Sequence, residues 1–287
     1  MSDLATTGRV AIVTGGLRGL GKGMTLGLAA IGIKVLAVGH LPEDVAAMEG
    51  TPNVRPMVAD IRSPAACDAV VAEAKAAFGR IDILVNNAGL TFTYIDPKRF
   101  VDGPRKFWTL SDEIVQNVMD TNYVAHDQMA RRVAPIFIEQ GWGRIINVTT
   151  KLDTMNRPGS IPYGSSKAAM EMATEIWAKE AEGTGMTVNI VNPGAGANTP
   201  GMNQELIDWS KAGKVPRLVE PDEMVPPLLY VVSEAANNVN GYRFDALTWD
   251  SSLPPPVAAR LNGRPAGFVL HPRDVDAYPG AEIQKPF

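Results

Sequence analysis

Tyr163 and Lys167 stand four residues apart in Tyr-Gly-Ser-Ser-Lys, inside a stretch of strong helical period. Both therefore project from one face of a helix, a turn apart. An unperturbed tyrosine ionises near pH ~10 and makes a poor base at neutral pH. An ammonium one turn away favours the phenolate and brings it toward the working range, so the pair could move a proton at a substrate oxygen. Alone, a tyrosine and a lysine at this spacing are more often plain packing. Their surroundings decide the reading.

The first apolar run, Val10 to Thr14, ends in Thr14-Gly15-Gly16-Leu17-Arg18-Gly19-Leu20-Gly21-Lys22-Gly23 and passes straight into a helical pattern. Glycines at 15, 19 and 21 let the backbone turn tightly, approach a pyrophosphate and seat the helix on the strand. The N–H groups exposed at the helix start favour an anion. A glycine-rich turn is weak evidence by itself. In the first strand–helix unit of an alternating chain it points to a nucleotide. An oxidised nicotinamide beside Tyr163 would then add a second positive charge favouring the phenolate.

The elements that must hold these groups alternate along the chain. Apolar runs at Val10–Thr14, Val35–Val38, Val54–Val58, Ile83–Asn86, Ile145–Thr149 and Val188–Asn192 are separated by helical stretches at Gly21–Ile31, Pro64–Phe78, Leu110–Gln140 and Tyr163–Glu182. Strands buried on both faces and joined by helices pair in parallel through right-handed crossovers. This predicts an α/β fold, a doubly wound parallel sheet of Rossmann type, as one domain over residues 1–250 with a Pro-rich extension over 251–287.

Composition excludes other classes. Of 287 residues, 27 are Lys or Arg and 31 are Asp or Glu, for a net charge of −4 without basic runs, which argues against a nucleic-acid surface. The single cysteine, Cys67, cannot form an internal disulfide. His40, His126 and His271 are far apart and lack metal-ligand spacing, so no metal is expected. No apolar run approaches the ~20 residues of a membrane span, and the N-terminus lacks a secretory pattern, so a cytoplasmic location is expected.

The TGxxxGxG spacing of the turn resembles that of the classical short-chain dehydrogenases/reductases, and the likeness extends over about residues 8 to 245. Asp60-Ile61 resembles the family's adenine-contacting pair, and Asn86-Asn87-Ala88-Gly89 its NNAG motif, which stabilises the sheet and lines the cofactor. Asn122 resembles the helix asparagine of the catalytic set, Tyr163 and Lys167 the YxxxK pair, and Asn192-Pro193-Gly194 the turn that cups the nicotinamide. The resemblance implies that Tyr163 is the general acid/base and that Lys167 holds the ribose. It also implies that Asn122 bends its helix and holds a relay water.

Thirteen residues before the tyrosine the family usually has a serine; here Thr150 takes that place, with Thr149 the second candidate for polarising the substrate oxygen. Four residues after the Pro193-Gly194 glycine, where a nicotinamide-contacting threonine is common, stands Asn198, followed by Thr199. Family members are commonly tetramers, so a homotetramer or homodimer is implied.

An acid ending the second strand would select NAD through the ribose 2′-hydroxyl. This strand ends in Gly39 and His40, and Arg18 can reach the same place with a guanidinium suited to a phosphate. NADP is therefore favoured, with NAD the alternative. A lengthened loop over 90–108 carries Phe92, Tyr94, Phe100, Phe107 and Trp108, and residues 195–218 read as a substrate lid with Met202, Leu206 and Trp209. Together they suggest an apolar or ring-bearing alcohol or ketone. After 250 the prolines predict extended or turn backbone. Other readings are a dinucleotide-binding regulator without catalysis, and an epimerase or dehydratase of the extended branch.

Overall fold

Eight strands lie side by side in the order β3-β2-β1-β4-β5-β6-β7-β8 in the computed structural model, which describes residues 8–99 and 103–268. Phe100, His271 and the end of the tail lie outside the described residues. The strands are β1 (Val10–Thr14), β2 (Lys34–Gly39), β3 (Val54–Val58), β4 (Ile83–Asn86), β5 (Gly143–Asn147), β6 (Met186–Asn192), β7 (Tyr242–Asp245) and β8 (Arg264–Pro265). The first seven are parallel, with Ala11 opposite Val35 on one side and Ile83 on the other. Strand order reverses between β1 and β4, the crevice where such sheets bind ligands at the carboxyl ends of their strands.

Helices α1 (Gly19–Ala30), α2 (Pro42–Ala46), α3 (Pro64–Phe78) and α4 (Phe92–Ile95) follow β1 to β4 in turn. Next come α5 (Asp112–Met119), α6 (Ala125–Gln140), α7 (Leu152–Asn156), α8 (Tyr163–Glu180), α9 (Gln204–Lys211), α10 (Val225–Val231) and α11 (Pro255–Asn262). Two apolar clusters, one on each face, hold the sheet: Met24, Leu28, Leu228 and Val231 belong to one, Val70, Met129, Val133 and Phe137 to the other. Cover on both faces explains why β1, β4, β5 and β6 are buried at every residue rather than at alternate ones.

The stretch expected as one helix from Leu110 to Gln140 is interrupted. Between α5 and α6 the chain makes a wider π turn over Asp120–Val124, with Asn122 buried inside it. Single π turns of this kind are frequent at functional sites.

The Pro-rich extension requires a larger correction. Pro254 precedes α11, and Pro255 and Pro256 form its first turn, where the missing N–H groups cost nothing and the fixed φ suits the helix. The run Val-Ala-Ala-Arg-Leu-Asn then continues it. Beyond Gly263, β8 pairs antiparallel with β7, placing Arg264 opposite Arg243. Up to residue 268 the extension is therefore part of the sheet's edge.

Candidate active site

Thr14, Asn87 and Ala88 join the glycine turn to the end of β4. The Thr14 hydroxyl donates to the Val85 carbonyl at 3.3 Å and accepts from the N–H of Asn87 at 2.9 Å and of Ala88 at 3.1 Å. The Asn87 amide donates to the carbonyls of Thr14 and Gly15 at 3.0 and 3.1 Å. Gly15 has φ +61°, and a Cβ there would stand 2.9 Å from the Ala88 Cα; a Cβ on Gly21 would run into the Gly15 carbonyl oxygen. No side chain caps α1 and no acid sits in its first turn, which leaves the N–H groups there for an anion. The backbone, close approach and unspent donors fit a dinucleotide.

The predicted cofactor residues divide by what their side chains do. Leu17 is buried over Gly39, and Leu20 packs against the same core, so both offer backbone rather than side chain. Ile61 is a core residue whose carbonyl accepts from the Cys67 thiol. The Asp60 carboxylate accepts from the Arg62 guanidinium at 2.9 and 2.5 Å, and that contact first of all holds its pKa below the usual carboxylate range. His40 is exposed at the end of β2, close enough to Asp60 for its charge to act there. Asp44 from α2 lies 3.6 Å from the Arg18 guanidinium.

Asn122 ties the π turn to the NNAG loop. Its side-chain oxygen accepts from the Leu90 N–H at 2.8 Å, and its amide donates to the Leu90 carbonyl and the Ser166 hydroxyl, both at 3.0 Å. A Cβ on Gly89 would sit 3.3 Å from the Asn122 oxygen and 3.7 Å from Lys167 Nζ, so both groups converge on this glycine. Lys167 donates to the Val148 carbonyl at 2.8 Å, and burial pushes its pKa down to about 8. His126 is buried beside the backbone of Asn122 and Ala88. Desolvation first and the Lys167 charge second lower it to about 3, so it stays neutral.

Tyr163 begins α8, under the Phe92 ring at a centroid distance of 4.7 Å. Burial raises its pKa, opposed by a hydrogen bond with the Thr150 side chain and by the charge of Arg157. The four-residue spacing assigns a share of that opposing role to Lys167. The Lys167 ammonium donates to the Val148 carbonyl and keeps its charge and its other donors, while Thr150 and Arg157 act on the phenol. Thr149 points elsewhere: its hydroxyl donates to Glu171 at 3.1 Å.

Glu171 and Arg243 are two residues that sequence reasoning missed. Both side chains are wholly buried, paired at 2.7 Å, and Arg243 also donates to the Thr150 carbonyl at 2.9 Å. Burial raises the Glu171 carboxyl while Arg243 opposes the shift. The signal was present in the chain. Glu171 follows Lys167 by one more turn on the same face, and Arg243 stands between Tyr242 and Phe244.

The Pro193-Gly194 turn is anchored from within and from β7. The Gly194 N–H donates to the Asn192 side chain at 2.8 Å, and the Leu247 N–H donates to the Pro193 carbonyl at 3.1 Å. The amide of Asn198 is engaged with Glu220 at 2.9 and 3.1 Å, whereas Thr199 lies over the glycine turn, its Cβ 3.2 Å from where a Gly19 Cβ would be. In the segment 195–218, Ile207 is the buried residue of α9, while Met202, Leu206 and Trp209 are half-buried. Phe107 and Trp108 form an exposed edge-to-face pair.

A family model for short chain dehydrogenases matches residues 9–211. The chain belongs to the short-chain dehydrogenase family. It is 32% identical over 252 residues to a short-chain type dehydrogenase/reductase of Picea abies, covering 81% of this chain and 89% of that protein. It is likewise 32% identical to the 2-dehydro-3-deoxy-D-gluconate 5-dehydrogenase of Escherichia coli, covering 84% and 95%. The crystal structure of a 3-ketoacyl-(acyl-carrier-protein) reductase from Brucella melitensis complexed with NADH superposes with a TM-score of 0.73 at 27% identity, covering 83% of this chain and 96% of that one. The chain is thus an NAD(P)-dependent oxidoreductase. Among the described residues no helix is long and apolar enough to cross a membrane.

Proposed function

We propose that this dehydrogenase moves hydride between NADP(H) and a secondary alcohol or ketone whose reacting carbon carries an apolar or ring-bearing group, with Tyr163 as general acid/base. One observation carries the reading: Tyr163, hydrogen-bonded with Thr150, stands one helical turn from Lys167, whose ammonium meets the Asn122 side chain beside Gly89. When bound, the nicotinamide supplies or accepts the hydride. In reduction Tyr163 protonates the carbonyl oxygen, and the Thr150 hydroxyl positions that oxygen. Lys167 binds the ribose hydroxyls from its seat on Val148. Asn122 holds the π turn against Leu90, and so keeps the NNAG loop and the lysine in register.

The cofactor cradle is assigned to Gly15, Arg18, Gly19 and Gly21, the loop Asn87-Ala88-Gly89, Asp60-Ile61, and the turn Pro193-Gly194. Thr199 rather than Asn198 serves the nicotinamide side, because the Asn198 amide is already bound to Glu220. NADP is favoured by Gly39, which offers no carboxylate at the end of β2, and by the Arg18 guanidinium. Asp44 at 3.6 Å from Arg18 is the feature that supports NAD as the alternative. The apolar wall is supported by Phe92 over Tyr163 and by the aromatic loop that follows. A homotetramer or homodimer through the long helices is supported by Ile138 and Ile176, both about half exposed on α6 and α8.

The test is a screen of aliphatic, aromatic and sugar alcohols and ketones by nicotinamide absorbance, with Tyr163→Phe as the blank. Turnover of ring-bearing ketones that vanishes in the blank is expected. A preference for free sugars would contradict the apolar wall.

A further inference from the structure

We propose that Arg243 is a positioning residue for hydride transfer, setting Thr150 and the Pro193-Gly194 turn in fixed relation to each other and to the helix that carries Tyr163. The inference rests on the reading of Tyr163 as the acid/base and of Thr150 as the group beside the substrate oxygen.

Arg243 and Asp245 are two apart on β7 and so lie on one face of the sheet, paired with Ile190 and Asn192 of β6. From there the Arg243 guanidinium donates in three directions. It reaches Glu171 of α8 at 2.7 Å, the Thr150 carbonyl beyond β5 at 2.9 Å and the Asp245 carboxylate at 3.4 Å. The same Glu171 oxygen accepts from the Thr149 hydroxyl at 3.1 Å. Both threonines are thus held, while the Thr150 side chain remains with Tyr163.

Asp245 carries the connection to the Pro193-Gly194 turn. Its carboxylate accepts from the Asn192 amide, and the Asn192 oxygen accepts from the Gly194 N–H at 2.8 Å. A Cβ on Gly194 would stand 3.0 Å from the Asp245 Cβ, so the two segments touch. The Pro-rich extension fixes the far end: Asn262 of α11 accepts from the Asp245 N–H at 2.9 Å and donates to the Asp245 carbonyl at 3.0 Å.

Stability alone does not require this chemistry. Apolar side chains of similar volume would fill the site without the cost of burying two charges. A guanidinium is a flat fork with donors at fixed angles, so it holds several partners in one geometry where an apolar side chain holds none. Its partners here are the segments that present the proton donor, the substrate oxygen and the nicotinamide to one another. A misplacement of about 1 Å in such an arrangement costs on the order of 100-fold in rate.

The test compares Arg243→Met/Glu171→Met, which leaves a neutral filled core, with Arg243→Lys, which keeps the charge beside Glu171 but loses the fork. Arg144, also buried but at the amino end of β5, supplies a matched control as Arg144→Met. Each is assayed on the ketone that the unaltered enzyme reduces fastest, with NADPH and with NADPH deuterated at the transferred position, and rates are counted per NADPH-binding site. The double variant is expected to lose at least about tenfold in kcat, with NADPH affinity and KM within about threefold and a deuterium effect on kcat no smaller than the unaltered enzyme's. Arg243→Lys should fall between the two, and Arg144→Met should keep kcat within about twofold whatever its melting temperature. Full kcat per site in Arg243→Lys or in the double variant, or an equal fall in Arg144→Met, overturns the positioning role. Turnover surviving in Tyr163→Phe overturns the catalytic reading instead.

Discussion

The two sides of the cleft are held by different kinds of contact. On the dinucleotide side, Thr14, Asn87, Ala88 and the glycines meet backbone to backbone or through short polar side chains, at distances near 3 Å. On the substrate side, charged and aromatic side chains make the contacts: Arg243 reaches Glu171 from a distant element, and Arg99 lies over Phe92. The first arrangement tolerates few residue types at each position. The second is built from residues that look ordinary until the fold brings them together.

This contrast is sharpest at the buried ion pair. Arg243→Met leaves Glu171 buried with only the Thr149 hydroxyl as partner, and should cost about 3–5 kcal/mol of stability, read by denaturant unfolding. The double variant Arg243→Met/Glu171→Met should recover most of it. If the single change costs under about 1 kcal/mol, the substrate side does not depend on that pair.

On the opposite side, Gly21→Ala pushes a methyl into the Gly15 carbonyl. It should weaken dinucleotide binding on the order of 100-fold, about 3 kcal/mol, with a smaller change in melting temperature. Unaltered binding, measured by quenching of tryptophan fluorescence, would show that the close approach is not required.

His126 separates the two sides by its titration. Its native pKa of about 3 lies below the ordinary value of 6.5, so between those pH values the unfolded chain binds a proton that the native chain does not. Stability should therefore fall as pH drops from about 6.5 toward 3, by up to about 5 kcal/mol attributable to this residue. His126→Leu should flatten that limb, and an unchanged pH profile would remove His126 from the account.

The smallest expected effect is at the cofactor's edge. Arg18→Ala should raise the KM for NADPH by about threefold to tenfold and leave NADH nearly unchanged, whereas Asp44→Ala should do the opposite for NADPH. If Arg18→Ala leaves both constants unchanged, the NADP preference loses its support.

The same contrast explains what could be read in advance. The parallel sheet, the glycine turn, Asn122 and the Tyr163–Lys167 pair were legible because tight backbone geometry restricts residue type and spacing over short stretches. Glu171 and Arg243 were not, because a buried ion pair between a helix and a strand leaves no local period. The helix after Pro254 is not legible from composition because prolines break a helix interior but start a helix at its first turn.

The central claim is that Tyr163 transfers the proton. NADPH-linked turnover of a ring-bearing ketone by Tyr163→Phe, compared with the unaltered enzyme at matched dinucleotide saturation, tests it most directly. A fall in kcat of at least about 100-fold with unchanged cofactor affinity is the predicted result. Undiminished turnover in Tyr163→Phe would contradict it.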